Sequence, residues 1–158
     1  MLMTTEEKLA WLTNDFIQLL FTLKNDATGN WGVLNAQQMV EHLSDAVRQA
    51  NGKVPKTLLT PSEHLEKVRS FMLSEKPFRE NTKNSEMPDE PQPVRLAGMS
   101  EAIVELKQEL TSFIDFYKDD GNKELMNPFF GALNFEQWTH LLHKHARHHA
   151  RQFNLIQE

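Results

Sequence analysis

The chain contains no cysteine. That excludes disulfides, thiolate metal sites and a cysteine nucleophile supplied by the protein itself. Long apolar runs are also missing, and no stretch approaches the ~20 residues of a membrane span. The opening residues, Met1-Leu-Met-Thr-Thr-Glu-Glu, show no basic region followed by an apolar run, so no signal peptide is expected. These absences read as a cytoplasmic chain. Excess positive charge is lacking too. The net charge is −5, which argues against a general nucleic-acid binder, since no dominant basic surface offsets phosphate charge. Glycine-rich nucleotide-binding loops do not occur, and no strand pattern of any length is visible.

What the chain does have is helical periodicity. Its 158 residues, 39% hydrophobic and 25% charged, suit one domain over 1–158 with a sizeable core. Leu9, Leu12, Phe16, Leu19, Leu20 and Leu23 predict a first helix from about Thr5 to Asn25. Asn35 with Gln38 forms a capping box for a helix reaching about Ala50, with Met39, His42, Leu43, Ala46, Val47 and Ala50 inward. Pro61 placed at the first turn predicts a short helix to about Met72. Residues 74–98 carry Pro77, Pro88, Pro91 and Pro93 among many charges and read first as a solvated crossover, with shaping of a pocket mouth as the alternative. Ser100 and Glu101 open a helix with Ile103, Leu106, Leu110, Phe113, Ile114 and Tyr117 inward, ended at Asp119-Asp120-Gly121. Asn127-Pro-Phe-Phe-Gly131 reads as a compact turn. Asn134 with Gln137 caps a last helix to about Phe153. The expected fold is all-α: a four-helix bundle with one long crossover and an extra short helix.

The chemistry concentrates in that last helix. Five of the seven histidines, His140, His143, His145, His148 and His149, fall within ten residues. Four-residue spacing puts His145 and His149 on one face, continuing the stripe Trp138, Leu141, Leu142. His140, Lys144, Arg147 and Arg151 form a second, charged stripe expected to face water, and His143 lies off the inner one. Two buried imidazoles satisfy each other poorly, whereas a metal satisfies both. A third ligand is then wanted. His42, on the inner side of its helix, is the natural candidate; His64 sits on a short polar segment. Gln152, one turn beyond His149, is a hydrogen-bond partner for a ligand ring. His148 and, more weakly, Glu41 are the acid–base candidates. Ordinary explanations exist beside these: a histidine run can be a cationic helix end favoured by the dipole, and a single inward histidine is commonly a satisfied core residue.

Three segments also carry a resemblance. Trp31-Gly-Val-Leu-Asn-Ala-Gln-Gln-Met-Val-Glu-His42-Leu, His145-Ala-Arg-His148-His149-Ala-Arg-Gln152 and Asn127-Pro-Phe-Phe-Gly131 together resemble the DinB/YfiT-like superfamily of metal-dependent enzymes, in a branch with the Asn-Pro-x-Phe-Gly turn before the last helix. Relatives often carry Arg-Gly-Gln after the last ligand, where this chain has Ala150-Arg151-Gln152. The resemblance implies a four-helix bundle and His42, His145 and His149 as ligands of zinc or nickel. It also implies a small-molecule substrate and often a homodimer. Relatives include thiol-dependent transferases and isomerases. With no cysteine in the chain, a reacting thiol arrives as a low-molecular-weight cofactor or substrate. Thiol transfer ranks slightly above hydrolysis of an ester or amide, for want of a convincing carboxylate base. The contrasting reading is a non-catalytic bundle, in which metal or none stabilises a dimer or interaction module. A carboxylate-bridged di-iron bundle is disfavoured, because the last helix has no Glu-x-x-His motif.

Overall fold

The computed structural model describes residues 2–81, 87 and 89–157. The chain is mostly helical, with one two-stranded hairpin. Helix α1 begins at Thr5–Ala10, passes through a π-helical stretch at Trp11–Asp15 and finishes at Phe16–Leu20. Thr4 and Glu7 exchange the two hydrogen bonds of a capping box at its start. It stops short of the expected Asn25. The amides of Thr22 and Leu23 turn back to the carbonyls of Leu19 and Leu20 at 3.0 and 3.1 Å, closing the last turn three residues apart.

Helix α2 spans Ala36–Ala50 and carries the Asn35–Gln38 capping box read from the sequence. Helix α3 spans Ser62–Leu73; Pro61 is extended and precedes the first turn rather than occupying it. Helix α4 spans Met99–Phe116 and ends three residues before Asp119. Helix α5 spans Phe135–Gln152, with Asn134 and Gln137 forming its capping box. Its C-terminus closes as a Schellman motif. Asn154 adopts a left-handed φ of 60°, the Leu155 amide reaches the Ala150 carbonyl at 2.7 Å, and the Asn154 amide reaches Arg151 at 3.1 Å.

Helix α2 packs on α4 and α5, α1 on α4 and α5, and α3 on α5. The first four enclose one apolar core including Phe16, Leu20, Met39, Ile103, Leu106, Phe113 and Trp138. Helices α1, α2 and α4 contribute the faces predicted from their periodicity, and His42 of α2 faces His145 and His149 of α5. No helix among the described residues is long and apolar enough to cross a membrane.

Two features depart from the expected pattern. Strands β1, Leu125–Asn127, and β2, Gly131–Leu133, pair antiparallel with Leu125 opposite Leu133. The predicted turn joins them: the Asn127 side chain accepts from the amides of Phe129 and Phe130 at 2.9 and 3.0 Å, and Gly131 has a φ of 86°. Three-residue strands are too short to show alternation. The charged stripe of α5 is also covered rather than solvated. Lys144 is only 7% exposed and donates to the Phe71 carbonyl at the end of α3. His140 bridges Lys8 of α1 and the Ser74 carbonyl. His143 is buried edge-on against Trp11. Helices α1 and α3 flank α5 on that side, so its polar residues become docking points.

Candidate metal centre

Helix spacing brings two ligands together and packing brings the third. His145 and His149 are one turn apart on α5, and His42 faces them from the middle of α2. The Nε2 atom of His145 lies 3.1 Å from Nε2 of His42 and 3.1 Å from Nε2 of His149. The ligand atoms of all three lie within 4.8 Å of one another. Four-coordinate zinc with Zn–N of 2.0–2.1 Å separates its ligand nitrogens by about 3.3 Å. Two edges of the triangle are already within a few tenths of an ångström of that value and the third is no longer than 4.8 Å, so the three nitrogens form a cluster that could hold a metal ion.

Protonation fits as well. Burial pushes His42 down to about 4, with His148 adding repulsion. His145 and His149 lie well below the usual histidine range, again mainly through burial and then through the neighbouring rings. All three rings are therefore neutral at pH 7, the form that binds metal.

Gln152 meets its expectation. Its side-chain amide donates to the Trp31 carbonyl at 2.8 Å, and its Oε1 lies 2.7 Å from Nδ1 of His149. An amide oxygen only accepts, so Nδ1 of His149 carries the proton and Nε2 presents a bare lone pair to the cluster.

His148 lies beside the triad without joining it. Its ring is 5.3 Å from that of His149, between Trp31 at 5.6 Å and Phe78 at 6.2 Å. Burial, then Arg151, lowers its pKa, while a hydrogen bond to the Phe78 backbone acts the other way. Its Nδ1 is buried without a hydrogen-bond partner among the described residues.

Glu41 is not brought to the cluster. Its buried carboxylate accepts from the Arg95 amide at 2.8 Å, the Leu96 amide at 3.4 Å and the Gln37 side chain at 3.0 Å. The one-residue offset from His42 turns it about 100° around α2, onto the segment leading into α4. His64 is exposed on α3, away from the triad. Among the described residues the cluster contains no carboxylate.

The site residue that periodicity missed is Phe78. Its ring lies 6.5 Å from His145 and 6.5 Å from Phe130 of the hairpin turn. The first-ranked reading, a solvated crossover, therefore does not hold at Phe78: this part of the 74–98 segment lies against the histidines, as the pocket-mouth alternative has it. A single aromatic inside a charged, proline-rich stretch was the available signal. Residues 82–86 and 88 of that segment lie outside the described residues.

Compared with protein-family models, curated proteins and solved structures, the chain matches none.

Proposed function

We propose that this protein is a metal-dependent enzyme of the DinB/YfiT-like kind. In this reading His42, His145 and His149 hold zinc or nickel, with coordination positions left for a small-molecule ligand. The observation that supports it most is the convergence of three neutral imidazole nitrogens from two helices, all within 4.8 Å of one another. A divalent ion held there supplies Lewis acidity, lowering the pKa of a bound thiol or water so that it reacts as a nucleophile near neutral pH.

The surrounding residues favour one of the two chemistries. Three neutral imidazoles add no negative charge, and Glu41 is committed to backbone amides elsewhere. An anionic ligand therefore balances the site, and among the described residues no carboxylate joins the cluster to serve as a base for hydrolysis. Thiol transfer ranks first, with a low-molecular-weight thiol as cosubstrate because the chain has no cysteine. His148 is the residue placed to hold or move a proton at Nδ1. Trp31 and Phe78 pack against that ring, whose Nδ1 is buried. A homodimer of the bundle accompanies this reading.

One observation favours a second reading. The same three histidines join α2 to α5 under Phe78, so a closed metal staple in a non-catalytic bundle also suits the geometry. Elemental analysis of the purified, untagged chain beside His42→Ala tests the site itself. The expected result is about one zinc or nickel per chain, lost in the variant. No metal in the parent chain, and none after reconstitution, would sink both metal readings. Retention of activity toward thiol substrates without metal would sink the enzymatic one.

A further inference from the structure

The loop between α1 and α2 meets the candidate metal centre closely at Gln152. The Asn30 amide donates to the Gln152 carbonyl at 2.7 Å. The Trp31 carbonyl accepts from the Gln152 side chain at 2.8 Å. A Cβ at Gly29 would stand 2.7 Å from Cγ of Gln152, and one at Gly32 would stand 2.8 Å from its Nε2. Gly32 also has a φ of 77°, where side chains are strained. Asn30 and Asn154 exchange two side-chain amide bonds at 2.7 and 3.0 Å, and the Schellman motif fixes Asn154. The loop is thus clamped onto the end of α5 with Gln152 filling the space that two glycines leave.

The clamp has a chemical consequence. A primary amide can be turned over, exchanging its oxygen and nitrogen. Turned over, Gln152 would set its oxygen against the Trp31 carbonyl, two acceptors facing each other. The Trp31 carbonyl therefore dictates which end of the amide meets His149. The end that arrives is an acceptor, so the His149 proton must sit on Nδ1. A solvated neutral histidine prefers the opposite, Nε2–H form, which would block the lone pair facing the cluster.

We infer that Gly29, Trp31 and Gly32 are positioning residues which, through Gln152, hold His149 in the Nδ1–H tautomer that offers Nε2 to a metal. The metal part of this statement rests on the reading proposed above; the tautomer part does not. Trp31 also packs against His148, so one short loop orients two consecutive histidines of α5.

The test reads the His149 tautomer by 15N NMR in the metal-free full-length chain, then zinc affinity by competition with a chelator. In the parent chain His149 is wholly Nδ1–H. Gln152→Leu removes the amide, and Gly32→Ala displaces it. Both are expected to give a mixture of tautomers and to weaken zinc binding 10–100-fold. Gly52→Ala is the control for backbone strain. It has a φ of 84° and would press on Phe116 instead, so it keeps the parent tautomer. Should Gly32→Ala not fold, Asn30→Ala releases the same loop from Asn154 without strain, with the same shift expected. A pure Nδ1–H signal in Gln152→Leu, or in the loop variant, overturns the inference. A parent chain that takes up no zinc but shows the tautomer changes overturns the metal reading and leaves the relay standing.

Discussion

Histidines on α5 differ by what packs on them, not by their position in the run. His145 and His149 meet His42; His140 and His143 meet α1; His148 meets two aromatic rings. Burial is the first cause of the lowered pKa at every one of them. For the pH dependence the sign follows from His42, which drops from 6.5 in a solvated chain to about 4 when folded. Between these values the unfolded chain binds the proton and the folded chain does not. Stability is therefore intact above about pH 6.5 and is lost as pH falls through 6.5 toward 4. His42 alone removes about 2 kcal/mol between pH 7 and pH 5, and the other lowered histidines act in the same direction. Urea unfolding of the metal-free chain at the two pH values checks this, and an unchanged midpoint would contradict it. In the folded chain the His42 ring itself protonates only as pH falls through about 4, so zinc affinity of the folded chain holds above that value and drops below it.

Helix starts at Asn35 and Asn134 were legible because a capping box is a local signal, written in two residues three apart. The pairing of His145 with His149 was legible for the same reason. What was not legible depends on distant packing. The water-facing side assigned to Lys144 is covered by the end of α3, and Phe78 reaches the histidines from a segment whose composition reads as solvated loop. The one-residue offset from His42 already turns Glu41 away from the triad, but its partner, the 95–96 backbone, returns to α2 more than fifty residues later. That carboxylate ties the start of α4 to α2; its ion pair with the half-exposed Arg95 at 3.6 Å adds little. Glu41→Ala leaves the amides of Arg95 and Leu96 without their acceptor and is expected to cost about 1–3 kcal/mol. It leaves zinc content unchanged. Loss of zinc from a folded Glu41→Ala chain would restore the glutamate to the centre.

The core fills the space between α1, α2, α4 and α5 with apolar side chains, yet along the α2–α5 seam this apolar packing gives way to three neutral imidazoles. A single Nε2–H on His145 cannot serve both of the nitrogens that stand 3.1 Å from it, and a metal would convert that seam into a cross-link between residues 103 apart in sequence. Binding to the folded chain alone then becomes folding free energy. At a free zinc concentration 100 times Kd the gain is about 2.7 kcal/mol. For a chain of this length each kcal/mol raises Tm by roughly 2–4 °C, so the expected upshift is about 5–10 °C. His42→Ala should abolish the upshift while keeping the far-ultraviolet signal of a helical protein, because α2 retains its capping box and its buried Met39, Leu43 and Val47. Calorimetric scans of parent and variant with and without zinc decide the matter. An equal upshift in both would mean that the ion binds elsewhere. A variant that unfolds outright would mean that His42 stabilises the seam through packing before any metal arrives.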